Sequence, residues 1–421
     1  MTSGTGGAEL PVVDGAPSSA RRLAVLSLHT SPLAQAGSGD GGGMNVYVRE
    51  LVSSLAEAGV DCRVYVRRWE DDLPERVAVE PGFEVVHVPA GPPGMTKEEL
   101  PEIVGPFTDW VAADLASFRP VAVHANYWLS GVVGAELKRR LGLPLVSTFH
   151  TLARVKADNG DPEPERRDRA EAAVMACSDV VLANCSPEAR QLESLYHLDP
   201  ARIEVVTPGV DHAFFSPGDP RGARWALDAG PEPLLLFVGR IQPLKGLDVA
   251  VRALAAVRRQ DARLWVVGGA SGQDGDRYLR TVVDLAHQLG VASRVRFIPP
   301  LPHHLLSTYY RAADVCLVPS RSESFGLVAL EAAACGVPVV ASAVGGLRTL
   351  IEHGRTGHLV EGRDPADYAA WIDLVLSDPV LHRRLSVSAA ARARIYTWST
   401  SAARLRRLYA DLAVGSLVSC N

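Results

Sequence analysis

Short β-branched runs alternate with helix-length amphipathic stretches along almost the whole chain. In the first half the strand candidates are Leu23–Leu28, Cys62–Arg67, Phe83–Val88, Val121–His124, Leu145–Thr148, Val180–Ala183 and Ile203–Val206. Helix candidates such as Met44–Ala58, Lys97–Phe118 and Pro187–Tyr196 lie between them. A repeated βα order predicts a parallel sheet covered by helices, because parallel strands need a crossover. The runs are continuously apolar more than alternating, the pattern of strands buried on both faces. The alternation pauses at Pro208–Gly218, a stretch rich in Pro, Gly and Asp that reads as a linker. It restarts with Leu234–Val238, Leu264–Val267, Val295–Ile298, Val315–Val318 and Val339–Ala341. Two successive units of roughly 190 residues predict an α/β chain of two Rossmann-like domains facing a central cleft. The expected divisions are 21–210 and 219–395, with 396–421 as a final helical segment around Ser399–Leu412. Ligands in such folds sit at the carboxyl ends of the strands, so the cleft is the expected site.

Length agrees with two cores, since 421 residues exceed what one core usually serves. A net charge of −5 argues against a nucleic-acid binder, which carries a basic face. No apolar window reaches the ~18 residues of a membrane span; the nearest, Ala332 to Leu347, is broken by Gly336 and Pro338. Residues 1–20 lack the pattern of a signal peptide and are expected to form a loose tail. Cys62, Cys177, Cys185, Cys316, Cys335 and Cys420 show no CxxC spacing. Reduced thiols in a cytoplasmic protein are therefore expected, not disulfides or a zinc site.

The first strand leads into a glycine-rich segment in which Gly37, Gly39 and Gly42 spell GxGxxG. A dinucleotide oxidoreductase must be weighed, but eight residues separate the strand from Gly37, whereas the fingerprint needs its glycines in the tight turn. The other readings are a surface loop, or a loop capping the next helix whose bare amides, near Gly42 and Gly43, would meet phosphate. The second half is sharper. Arg240 and Lys245 follow the strand Leu234–Val238 and can clamp a diphosphate, one by its planar fork and one as a point charge. Gly326 permits close backbone approach, and the stretch from Ser324 reads as a helix start whose free amides favour phosphate oxygens. Glu331 lies on the apolar run Leu327–Pro338 and needs a hydrogen-bonding partner, which ribose hydroxyls would supply. A structural arginine would serve as well. His29, His124 and His150 fall at or beside strand ends, and a lone histidine is more often structural. No HExxH or GxSxG pattern supports a hydrolase.

The segments GRIQPLKG, SESFGLVALEAAACGVPVVAS and GRTGHLV, with Glu323 and Glu331 eight residues apart, resemble the nucleotide-sugar domain of family 4 retaining glycosyltransferases. That resemblance implies the GT-B fold, with a final helix crossing back to the first domain. It also implies that Arg240 and Lys245 bind the donor diphosphate and Glu331 the ribose. Glu323 with Ser324, Phe325, Gly326 and Leu327 would hold the sugar and phosphates. LSLHTSPLAQAGSGDGGGMNVYV, GPPGMTKEELP, HANYWLSG and STFHTLARVK are similar to the branch of that family that serves mycothiol synthesis. The implied reaction moves N-acetylglucosamine from UDP-GlcNAc to 1D-myo-inositol 3-phosphate. Lys97, Tyr127, Thr151 and Arg167 are implied as ligands of the acceptor phosphate, Asn45 and His29 as further acceptor contacts, and His150 as a catalytic neighbour of the donor sugar. Two cations and two hydroxyls suit a phosphomonoester. The sequence departs from that branch at Asn126 and at Glu171-Ala172-Ala173, both on the acceptor side, which leaves another cyclitol or sugar phosphate, or another nucleotide sugar, as alternatives. The resemblance further suggests a homodimer. With cations on the diphosphate, neither Mg²⁺ nor another cofactor is expected to be required, and no DxD motif of the metal-holding kind is apparent.

Overall fold

A computed structural model describes residues 22–37, 41–272 and 274–420. The expected tail at 1–20 and Gly39 of the glycine run lie outside the described residues. The first sheet contains β1 (Arg22–Leu26), β2 (Asp61–Arg67), β3 (Arg76–Glu80), β4 (Phe83–Val88), β5 (Ala122–Asn126), β6 (Leu145–Thr148), β7 (Val180–Ala183) and β8 (Ile203–Val205). Its order is β3-β4-β2-β1-β5-β6-β7-β8. The second sheet contains β9 (Leu234–Val238), β10 (Arg263–Val267), β11 (Val295–Ile298), β12 (Val315–Val318), β13 (Val339–Ser342) and β14 (Gly357–Val360), in the order β11-β10-β9-β12-β13-β14.

Every pairing is parallel except β3 with β4. β3 and β14 are the two strands that the apolar runs did not announce. β3 is a half-exposed edge strand of charged and small residues, returned by Pro81-Gly82 as a hairpin. It has one neighbour and needs no continuous apolar run. In the central strands both faces of each sheet are buried. Leu23 and Val25 point to one cluster and Ala24 and Leu26 to another, while Leu235 and Phe237 oppose Leu234 and Leu236 in the second sheet. Strand order reverses at β1/β5 and at β9/β12, and such switch points open crevices at strand carboxyl ends.

The helix Trp398–Val414 packs on the first domain, where Trp398, Ala402, Leu405 and Tyr409 share a core with Tyr47, Leu51 and Leu55 of helix Gly43–Glu57. His124 of β5 joins the neighbouring strand to the final helix: its Nε2 meets Thr148 Oγ1 of β6 at 2.8 Å and its Nδ1 meets Tyr409 Oη at 2.8 Å. Burial pushes this imidazole down to about 3, so it is a neutral bracket between β5 and the final helix. Tyr409→Phe would orphan a buried ring nitrogen and is expected to lower stability by about 1–3 kcal/mol. Chemical denaturation would show it as a lower midpoint with an unchanged slope.

The expectation of six reduced thiols is corrected at one pair. Cys177 and Cys420 form a disulfide, while Cys62, Cys185, Cys316 and Cys335 are free and buried. The reason lies in the tail beyond the final helix, where the Val418 amide donates to Asp179 Oδ1 at 2.7 Å. That contact brings together two cysteines 243 residues apart in sequence. Among the described residues no helix is long and apolar enough to cross a membrane.

Candidate active site

A cleft of roughly 450 Å³ lies between the domains, lined from one side by Gly42, Gly43, His150 and Thr151 and from the other by Arg240, Lys245, Glu323 to Leu327 and Glu331. Sixteen residues, from Ser27 to Gly42, separate β1 from the helix Gly43–Glu57, so the glycine run is not the tight strand-to-helix turn of a dinucleotide site. That reading is set aside. The loop instead approaches the opposite domain. A Cβ added at Gly42 would lie 3.0 Å from Arg240 Nε, and Gly269 N donates to Gly37 O at 3.1 Å.

On the second domain, Arg240 lies two residues beyond β9, and its Nη1 reaches Ser271 Oγ at 3.4 Å. Lys245 Nζ contacts Glu323 Oε1 at 2.5 Å, and Ser320 Oγ donates to the same oxygen at 2.8 Å. The predicted helix start slips from Ser324 to Leu327, because Gly326 takes φ 105 and turns the chain into the helix Leu327–Ala334. A Cβ there would sit 2.7 Å from Leu347 Cδ2, so the position is closed to side chains twice over. The first amides of that helix have no intrahelical acceptor and border the cleft.

Glu331 is buried, and its partners come from the protein. Tyr310 Oη donates to Oε2 at 2.8 Å and His303 Nε2 lies 2.7 Å from Oε1. Sequence reasoning missed both; the only signal was the position of His303 just beyond β11. A carboxylate has about four acceptor sites, so two protein bonds leave room for hydroxyls. Burial disfavours a charged His303, but Glu331, Glu50 and Asp211 outweigh it and raise its pKa. A raised histidine contributes stability in full below its ordinary 6.5 and loses it as pH rises through the folded value. Melting temperature should therefore fall across that window in the native protein relative to His303→Gln. Parallel curves for the two proteins would remove the ion pair.

The acceptor-side residues converge on Tyr127. Arg167 Cζ lies 5.0 Å and Lys97 Nζ 5.1 Å from its ring centre, and the His29 ring is 4.3 Å away. Arg167 Nη1 donates to Tyr127 Oη at 3.2 Å and Nη2 to Thr151 Oγ1 at 2.9 Å. Lys97, Tyr127, Thr151 and Arg167, from four separate segments, are thus neighbours. Glu171, wholly buried, accepts from Arg167 Nε at 2.7 Å and fixes the guanidinium from behind. Tyr127 and His150 both have left-handed backbone, φ 76 and φ 63, at the ends of β5 and β6. Such conformations in bulky residues cost ~1–3 kcal/mol each and cluster at ligand sites.

His150 Nε2 lies 2.9 Å from Asn126 Oδ1, so the divergent Asn126 is the partner of a cleft histidine. A carbonyl oxygen only accepts, which puts the proton on Nε2 and leaves Nδ1 as an acceptor. Burial, with His124 adding to it, pushes this imidazole down to about 3, so it is neutral. His29 is also held well below the ordinary range, by burial and then by Lys97, His150, Arg240 and Arg167. It therefore lies within electrostatic reach of Lys97, Arg167 and Arg240. Asn45 is turned to the loop: its Oδ1 accepts from Gly42 N at 3.0 Å, and its Nδ2 donates to Thr30 Oγ1 at 2.6 Å and Ser31 O at 2.5 Å. It shapes the glycine loop, and most of its hydrogen-bonding capacity is already engaged.

Comparison with known proteins matches both halves of the chain. Residues 41–214 match Glycosyltransferase Family 4 and residues 223–394 match Glycosyl transferases group 1. The D-inositol 3-phosphate glycosyltransferase of Actinosynnema mirum is 47% identical over 404 residues, covering 92% of this chain and 97% of that protein. The enzyme of the same name from Geodermatophilus obscurus is 48% identical over 406 residues, covering 92% and 89%. Among solved structures, sucrose-phosphate synthase from Thermosynechococcus elongatus superimposes with a TM-score of 0.88 at 32% identity, over 94% of this chain and all of that one. The two-domain architecture is that of GT-B enzymes. With both modules matched and the actinobacterial relatives aligned nearly end to end, the chain belongs to this family of glycosyltransferases.

Proposed function

We propose that this enzyme transfers N-acetylglucosamine from UDP-GlcNAc to 1D-myo-inositol 3-phosphate with retention at the anomeric carbon, as in mycothiol synthesis. The observation that carries the reading is the gathering of Lys97, Thr151 and Arg167 about Tyr127, with Thr151 also lining the cleft. A phosphomonoester there would orient the inositol ring toward the diphosphate held by Arg240 and Lys245. The names of the actinobacterial relatives point to the same acceptor.

The proposed step is a front-face displacement. The bond from the sugar C1 to the β-phosphate oxygen breaks as the acceptor oxygen bonds to C1 on the same face. The departing phosphate oxygen takes the acceptor's proton, leaving UDP and the glycosylated inositol phosphate. Arg240 and Lys245 neutralise the charge growing on the leaving group, together with the amides beside Gly326. This arrangement supplies the neutralisation without calling on a metal or other cofactor. Neutral His150 offers Nδ1 to a donor hydroxyl, and Glu331 keeps acceptor capacity for the ribose. Soluble, cytoplasmic action as a homodimer completes the proposal.

A second reading rests on a specific difference. Asn126, Ala172 and Ala173 stand where the resemblance leads us to expect other residues, and the sucrose-phosphate synthase likeness favours a different sugar-phosphate acceptor. UDP release should be measured with UDP-GlcNAc and UDP-glucose against 1D-myo-inositol 3-phosphate, free myo-inositol and hexose phosphates. Turnover confined to another acceptor would overturn the acceptor assignment and keep the donor chemistry.

A further inference from the structure

The acceptor cage already holds an anion of its own. Four protein oxygens accept hydrogen bonds from Arg167, namely Glu171 Oε1, Tyr127 Oη, the Thr151 carbonyl and Thr151 Oγ1, and a fifth, Glu163 Oε1, lies against its Nη1 as an ion pair. Glu163 Oε1 lies 2.9 Å from Arg167 Nη1 and also pairs with Lys156 Nζ, which Asp161 approaches at 2.9 Å. Lys97, Lys156 and Arg167 therefore face three carboxylates, Asp161, Glu163 and Glu171, so the empty cage is close to neutral. Burial works against ionisation of Glu163, yet Arg167, Lys156 and Lys97 outweigh it and hold its carboxyl below the usual range.

A phosphate cannot close on Arg167 Nη1 while the Glu163 carboxylate lies 2.9 Å from it. Of the five oxygens, Glu163 is the one free to leave. Glu171 is wholly enclosed, Thr151 and Tyr127 are themselves cage walls, and the Glu163 side chain is 22% exposed. It lies between the helices Ala153–Asp158 and Glu165–Cys177, outside regular structure. We infer that Glu163 is a built-in occupant of the phosphate cage, which the acceptor phosphate displaces from Arg167 and Lys156, so that Glu163 sets how strongly an acceptor must be charged to bind. This inference rests on the phosphate-cage reading above. Physically, a dianion with three or more oxygens outcompetes one carboxylate, whereas an uncharged acceptor cannot. The contact thereby screens out unphosphorylated cyclitols.

The test compares native protein with Glu163→Gln and Glu163→Asp, using KM for 1D-myo-inositol 3-phosphate, competition by inorganic phosphate, and calorimetric UDP binding. Glu163→Gln should lower both the KM and the phosphate inhibition constant by about tenfold, the scale of one lost charge-assisted contact. Glu163→Asp keeps the charge but shortens its reach, and should fall between the two. UDP affinity equal to native confirms an intact donor domain in each variant. Unchanged or weakened phosphate affinity in both variants, with UDP binding retained, overturns the inference. The cage itself is tested apart, by Lys97→Ala. If that variant fails to distinguish phosphorylated from free inositol, the cage falls and the Glu163 role with it. If Lys97→Ala is selective and Glu163→Gln is not tighter, only the Glu163 role falls.

Discussion

Arg240→Ala is expected to lower kcat by about a hundredfold or more, the cost of removing one preorganised donor from a developing anion. The guanidinium sits at the carboxyl end of β9, where strand order reverses, and faces the glycine loop of the other domain across the cleft. Charge grows on the leaving diphosphate only as the glycosidic bond breaks, so the interaction strengthens toward the transition state and should appear in kcat more than in donor KM. Arg240→Lys keeps the charge and loses the fork, and should recover part of the rate. UDP release at saturating donor and acceptor measures all three proteins. Native turnover in Arg240→Ala would remove Arg240 from the chemistry.

Lys97→Ala should raise the acceptor KM by roughly 10- to 100-fold, from a charge-assisted hydrogen bond of about 1.5–3 kcal/mol. Lys97 makes a cleaner probe than Arg167. Arg167 holds the enclosed Glu171, and its removal would leave a buried charge unpaired, which confuses binding with stability. Lys97 is half-exposed beside the Tyr127 ring. The effect should be confined to phosphorylated acceptors and shrink as salt rises, since exposed charges are screened. An equal loss with free inositol would show that Lys97 serves the ring or the fold instead of the phosphate.

The fold was readable because parallel strands buried on both faces must be continuous apolar runs, and twelve of the strands were marked in that way. β3 escaped because an edge strand has only one partner to satisfy, and β14 because GHLV is short and half glycine and histidine. The donor cations were legible for a similar reason. Arg240 and Lys245 follow a strand end, and their place in a Rossmann-like fold is set by local order alone. The partners of Glu331 were not legible. A buried carboxylate announces that it needs hydrogen bonds, but His303 and Tyr310 reach it from the segment after β11.

Local patterning thus decided the two parallel sheets, the linker between them, and which strand ends carry cations and glycines. Periodicity and turn chemistry act over a few residues, and these features need no more. Tertiary structure alone decided the rest. It paired Cys177 with Cys420, made His124 a bracket for the final helix, gave His150 its Asn126 partner, and set Glu163 into the grip of Arg167 and Lys156. Each of these is an interaction of side chains whose geometry depends on how separate segments pack, and an ion pair a few ångströms across leaves no periodic trace in the chain that forms it.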